Sequence, residues 1–184
     1  PKSELPTVNF QGFEIPQFPT AKGQLNYAKS GFADPEARKA ALNFISHAFP
    51  NAGEECGNAA LNLAYMNLGA DYRFALQLDY YSALEEYQAI IKTFNDHPQI
   101  LVKAYWYIGW IYCDLLNNKK EGLPYYWHIA KTFPDLQLGI SSPVPWVSLV
   151  YPLTTQGDHS IKNIANKHWA SLALLEILGH TADK

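Results

Sequence analysis

The sequence predicts an all-α domain in which antiparallel helix pairs stack behind an extended arm and a final helix closes the stack. Three observations predict it. First, three segments end alike: "FISHAFPN" (44–51), "AIIKTFND" (89–96) and "HIAKTFPD" (128–135). Their phenylalanines, Phe49, Phe94 and Phe133, are 45 and 39 residues apart (94 − 49 and 133 − 94). Self-similarity at such a period is the signature of a chain built from one repeated supersecondary unit. Second, the residues before these endings are apolar at helical spacing. Ala83, Leu84, Tyr87, Ile90, Ile91 and Phe94 recur as Gly122, Leu123, Tyr126, Ile129, Ala130 and Phe133. Third, a small residue follows each Phe by fifteen positions: Ala64, Gly109 and Ser148. A small residue in mid-helix lets a second helix approach closely, and an aromatic one turn on fills the adjacent hole.

Composition fits a folded chain. Of 184 residues, 48% are hydrophobic and 17% charged, enough apolar surface to build a core. Net charge is −3 and the Lys and Arg residues are scattered, so no basic stripe is present to neutralise phosphates and no nucleic-acid partner is expected. The longest uncharged stretch, 136–157 after Asp135, is interrupted by Pro143, Pro145 and Pro152, which argues against a membrane-spanning helix. The chain begins at Pro1, not Met, and reads as a processed form with no signal peptide left to recognise.

Two regions are expected. Residues 1–31 carry Pro1, Pro6, Pro16 and Pro19 between single apolar residues, which predicts an extended, Pro-rich N-terminal arm. Phe10, Phe13, Ile15 and Phe18 would lay that arm on the body. Residues 32–184 form the helical repeat domain. Its first helix, at about 34–48, opens on Asp34 as N-cap with Pro35 at the first helical position. Further helices are predicted at about 54–68, 79–94, 98–116, 120–132 and 144–152. The insertion "GADYRFALQL" (69–78) lengthens the first repeat, and a capping helix at about 160–178 ends near Gly179.

Within this frame Y105-x-x-I108-G109-x-x-Y112, followed by G122-x-x-x-Y126 and Pro134, resembles a tetratricopeptide repeat, with Tyr in place of the usual leading Trp. D79-Y80-x-x-A83-L84-x-x-Y87 resembles the second-helix half of the same motif. The "KTFPD" endings and long periods are more similar to bacterial envelope variants, such as the lipoprotein of the outer-membrane β-barrel assembly machine. Spacings of 45 and 39 exceed the usual period of about 34, and Asn67 replaces the Tyr in the first unit. The resemblance implies a right-handed superhelical α-solenoid. It also implies that Tyr105, Ile108, Gly109 and Tyr112 pack within a repeat, while the neighbouring face lines a concave groove for a partner protein or peptide. Asn58, Leu61 and Tyr65 in one repeat, and Lys103, Trp106 and Trp110 in the next, are the groove residues so implied. The aromatics would be anchors and Asn58 and Lys103 polar contacts. The competing reading buries both tryptophans between repeats or beneath the arm, and Tyr107 faces away from both groups.

Catalytic chemistry is not expected. No glycine-rich phosphate loop or nucleophile elbow occurs, and no two histidines lie three or four residues apart to form a helical metal pair. Glu176, His180 and Asp183 do have helical spacing, but at a tail expected to fray, so no metal site and no cofactor are assigned there. Cys113, Asp114 and His128 could compose a thiol site, against which a structural cysteine is the simpler reading. If the first helices of successive repeats run parallel, Cys56 and Cys113 lie roughly 18 Å apart along the axis, beyond the reach of a disulfide, and both should be free thiols.

The functional expectation is therefore a non-catalytic interaction or scaffolding module that binds a partner protein or peptide, as a subunit of a larger assembly in an exported bacterial envelope or periplasmic setting. The alternatives are a small-molecule binder using the same groove closed by the arm, or an accessory subunit of an enzyme complex.

Overall fold

In the computed structural model the described residues are 5–30, 32, 34–68, 79–137 and 169–181. They are mostly helical, with one two-stranded antiparallel sheet. The chain divides into two units, Pro1–Ile100 and Leu101–Lys184.

The first unit opens with a β-hairpin, β1 (Thr7–Phe10) and β2 (Phe13–Pro16). Phe10 pairs with Phe13, leaving Gln11 and Gly12 as a two-residue turn, with φ of 54° and 85°. Positive φ at both positions is the type I′ geometry that matches strand twist, and Gly12 adopts it without the Cβ penalty. The register pairs Val8 with Ile15 on the face that packs into the core, and Asn9 with Glu14 on the exposed face. Next comes α1 (Ala21–Lys29), capped by the Thr20 hydroxyl, which accepts from Gly23 N at 3.1 Å. The sequence predicts an extended arm with no helix here. The hairpin is extended, but α1 is not; Gln24, Leu25 and Ala28, all buried, make too short a periodic signal to stand out beside four prolines.

Helices α2 (Pro35–Ala48) and α3 (Gly53–Asn67) follow, joined by a short connection and packed against each other. Asp34 caps α2 through Glu36 N at 2.9 Å with Pro35 at its start, as the sequence anticipates. Phe10 meets Phe44 edge-on at 5.3 Å, so the hairpin and α2 share one core with Ile15, Leu25, Ile45 and Cys56. At the start of α3, a Cβ on Gly53 would overlap the His97 ring, and one on Gly57 would lie 2.8 Å from Ile100. The unit ends with α4 (Tyr80–Thr93), capped by Asp79, whose carboxylate accepts from Ser82 N at 3.0 Å.

The second unit takes over within α5 (Pro98–Trp110), which runs on into a π-helical turn, Ile111–Leu115. After it stand α6 (Lys119–Thr132) and α7 (Trp169–Thr181), and α6 and α7 pack closely against each other. Where α5 passes α6 their backbones touch. A Cβ on Gly109 would lie 2.9 Å from the Tyr126 ring, and one on Gly122 would overlap Cys113 Sγ and lie 2.9 Å from Gly109 O. The core of this unit joins Val102, Trp106, Cys113, Tyr126, Ile129 and Ile177.

The repeat seen in the sequence is a repeat of geometry. Helices α2, α4 and α6 each end on their Phe, with Phe49 N donating to Ile45 O, Phe94 N to Ile90 O and Phe133 N to Ile129 O at 2.8–3.0 Å. Each Phe carbonyl then accepts from the third residue on: Ala52 N, His97 N and Leu136 N. Tyr87 and Tyr126, 39 residues apart in sequence, are both fully buried.

The remaining helix assignments differ in detail. The predicted helix at 144–152, the insertion 69–78 and the first part of the predicted 160–178 helix lie outside the described residues. Gly179 does not end α7, which continues to Thr181, whose hydroxyl donates to Ile177 O at 2.8 Å. Both cysteines are free and buried, as expected. Among the described residues no helix is long and apolar enough to cross a membrane.

Candidate functional site

Three elements of the second unit converge on one group of ionisable side chains. The first is the π turn. Leu116 N reaches back five residues to Ile111 O at 2.9 Å, and Asn118 N reaches Tyr112 O at 2.6 Å. The wider winding carries Asp114; single π turns of this kind are common at functional sites. Asn117 then reverses the chain at φ 49°, a conformation Asn tolerates better than most residues, and Asn118 caps α6 through Glu121 N at 3.4 Å. The second element, α6, supplies Tyr126 from its buried face. The third, α7, supplies Glu176 and His180, one helical turn apart and therefore on one face. Lys119 Nζ donates to His180 O at 3.2 Å, fastening the last turn of α7 to the start of α6.

The geometry is tight. His180 Nε2 lies 3.6 Å from Asp114 Oδ2 and 3.6 Å from Glu176 Oε2. One donor atom from each of the three residues falls within 4.8 Å of the others. The Glu176 and His180 side chains are 12% and 14% exposed, so two of the three are largely withdrawn from water. Asp114, at 39%, forms the open side. The Tyr126 ring lies nearly parallel to the His180 imidazole, 11° between planes and 6.3 Å between centroids. Both Tyr126 Oη and His180 Nε2 are buried with no hydrogen-bond partner among the described residues.

Burial sets the electrostatics. It pushes the Glu176 carboxyl up to about 7, and the neighbouring Asp114 charge adds to the effect. Asp114 is raised by burial as well, with His180 pulling the other way. Burial and then the Glu176 charge hold the Tyr126 phenol well above its ordinary value. Burial, followed by the Asp114 charge, pushes the Cys113 thiol up to about 12, so this sulfur stays protonated at neutral pH. His128, the imidazole considered for a thiol site, lies instead tilted against the Tyr105 ring, 4.3 Å between centroids. The donor set of two carboxylates and an imidazole can hold a divalent ion or share a proton.

The residues implied as groove-lining divide between the units, Asn58, Leu61 and Tyr65 in the first and Lys103, Trp106 and Trp110 in the second. Leu61 and Trp106 are core side chains, 5% and 4% exposed, and Trp106 packs on Tyr126 at 5.0 Å. Asn58, Tyr65, Lys103 and Trp110 are half-buried. The Asn58 amide donates to Glu54 O at 2.9 Å along its own helix. Trp110 meets Tyr107 edge-on at 6.5 Å.

The roles expected on α5 hold in part: Ile108 and Gly109 are buried as expected, and Trp106 follows the competing, buried reading. Tyr107, expected to face away, is 8% exposed, whereas Tyr105 and Tyr112, expected to pack within the repeat, do meet rings of α6 while staying half-exposed. The cause is that Val102, Ala104, Trp106, Tyr107, Ile108 and Ile111 are all buried, leaving only a narrow free stripe. On a helix enclosed on most sides, apolar spacing cannot say which side faces out. The free stripe belongs to a row of rings. Tyr112 stacks on Tyr125 at 6.1 Å, Tyr125 neighbours Tyr105 at 6.3 Å, and Tyr105 meets His128 and Phe133.

Sequence reasoning found Glu176 and His180 by their spacing but paired them with Asp183, which lies outside the described residues. It is Asp114, far up the chain, that the fold brings to them, with Tyr126 beside it. No local signal marks either as a partner of α7. Set against known proteins, the chain matches no family model, no curated protein and no solved structure.

Proposed function

We propose that the chain is a non-catalytic helical-repeat module of the tetratricopeptide kind that binds a peptide segment of a partner protein. In the second unit the contact surface is the row Tyr112, Tyr125, Tyr105 and His128 along the line where α5 and α6 meet. The observation that carries this reading is that row: four rings in successive contact, each half-buried or exposed, on two helices whose cores are otherwise closed. Rigid aromatic rings held by one another lose little freedom on binding, which is why they dominate protein interfaces. The interlock of Gly109 with Tyr126 supports the repeat reading, since it is the small-against-aromatic contact that the sequence motif anticipates. Of the residues first implied as groove-lining, this reading retains the half-buried Lys103 and Trp110 of the second unit.

A displayed peptide library panned against the full chain tests it. Peptides selected on the wild type should bind the Tyr112→Ala/Tyr125→Ala variant at least about tenfold more weakly, with little change in melting temperature. Failure to enrich any peptide, or equal binding by the variant, overturns the assignment of this surface.

A further inference from the structure

We propose that Asp114, Glu176 and His180 form a binding site for a divalent transition ion of the zinc class, beside the buried Tyr126 ring. The distances carry the argument. Around a tetrahedral ion with bonds of about 2.0–2.1 Å, adjacent donor atoms stand about 3.4 Å apart. His180 Nε2 is 3.6 Å from a carboxylate oxygen of each acidic residue, already near that separation. All three donors fit within 4.8 Å, so small rotamer adjustments of Asp114 and Glu176 close the set.

Two further observations point to a ligand. His180 Nε2 is buried and faces an oxygen of each carboxylate at 3.6 Å, just beyond ordinary hydrogen-bond length. A buried imidazole nitrogen beside two acceptor groups is well placed to coordinate. Independently, Tyr126 is fully buried, its hydroxyl lacks a partner among the described residues, and the charges of Glu176 and Asp114 act on it. A buried hydroxyl is ordinarily hydrogen-bonded. An ion with its bound water would supply the missing acceptor.

The chemistry of the donors selects the ion. An imidazole with two carboxylates suits zinc, manganese or ferrous iron; magnesium and calcium prefer oxygen-only sets. Cys113 stands next to Asp114, but its sulfur lies against Gly122 in the core, so a thiolate-rich site is not built here. Two carboxylates also neutralise the two positive charges of the ion, which makes burial of the loaded site tolerable. The ion would tie the π turn to α7, where Asp114 and His180 already face each other at 3.6 Å. This site is independent of the ring surface on α5 and α6, and its readout is metal binding alone.

Isothermal titration of the full, chelator-treated chain with zinc chloride is the test, with manganese and magnesium chlorides as comparators. One zinc ion should bind per chain, magnesium should not compete, and zinc should raise the melting temperature. His180→Asn and Glu176→Gln, both near-isosteric, should each weaken zinc binding roughly tenfold or more. Circular dichroism confirms that each variant is folded; should His180→Asn not fold, Glu176→Gln and Asp114→Asn carry the comparison. The proposal is overturned if zinc does not bind the wild type, or if the folded variants bind it equally well, which would place the ion on other surface histidines.

Discussion

The two units handle buried polar side chains in opposite ways. In the first, Gln24 and Arg38 are buried at separate places. Gln24 Oε1 accepts from Phe18 N at 3.0 Å and so ties the end of the hairpin region to α1. Arg38 precedes Ala83 by 45 residues, the first repeat spacing, so it stands where the later copies carry Ala83 and Gly122. In the second unit, ionisable groups from the π turn, α6 and α7 are gathered into one place. A scattered polar residue that holds a local chain segment is explained by the fold. A cluster assembled from distant parts of the chain, at the desolvation cost visible in Glu176, is not explained by folding alone.

The contrast is strongest at the repeat position just named, where the copies α4 and α6 differ by one methyl group. Ala83 is accommodated in the first unit, whereas Gly122 has no room for a Cβ against Cys113 and the Gly109 carbonyl. Gly122→Ala should therefore destabilise the chain by about 3 kcal/mol, and Ala83→Gly by only about 1 kcal/mol. Urea denaturation measures both. Equal effects would mean that the two copies are packed alike and that the tight passage at Gly122 is not rigid.

The next difference is electrostatic. Glu176 is raised from an ordinary 4.5 to about 7, so the folded chain binds its proton more tightly than the unfolded chain. Its contribution to stability in metal-free solution is thus complete below about pH 4.5, declines as pH rises towards 7, and is gone above that, a change on the order of 3 kcal/mol. Glu176→Gln should flatten that decline in denaturation curves taken across this range. In the first unit Glu86 is also raised by burial, but the Asn67 amide, donating at 2.6 Å, opposes the shift. A slope that survives in Glu176→Gln would transfer the effect to Asp114 or Glu86, both also raised by burial.

The smallest expected effect is also the most specific. Tyr126→Phe removes a hydroxyl that has no partner among the described residues, so metal-free stability should change by less than about 1 kcal/mol. The same change should weaken zinc binding, because the buried hydroxyl belongs to the ring that stacks on His180. A large loss of stability without metal would show that the hydroxyl is bonded within the fold.

Much of the fold was legible because it rests on local signals. Asp34 and Pro35 start α2, and the three phenylalanines end α2, α4 and α6, as cap chemistry and the repeat foretell. Helix α1 was hidden because nine residues with a glycine among them carry little periodic signal beside so many prolines. The faces of α5 were illegible for the opposite reason: nearly every position is apolar, and which stripe stays free depends on what packs around it. The candidate site was half legible. Glu176 and His180 announce themselves by helical spacing, but Asp114 joins them only through the path of the chain.

That path depends on the π turn at Ile111–Leu115. Each residue of an α-helix advances the chain by about 100°, so one extra residue taken up as a wider turn sets everything after it one step out of phase. The turn thus acts as a phase shifter between the first and second helices of its repeat. Deleting a single residue there would let regular winding resume, and Asp114 and Cys113 would rotate to a neighbouring face. A gain or loss of one codon at this point, with no other change, would separate the carboxylate from its imidazole while leaving the repeat itself recognisable.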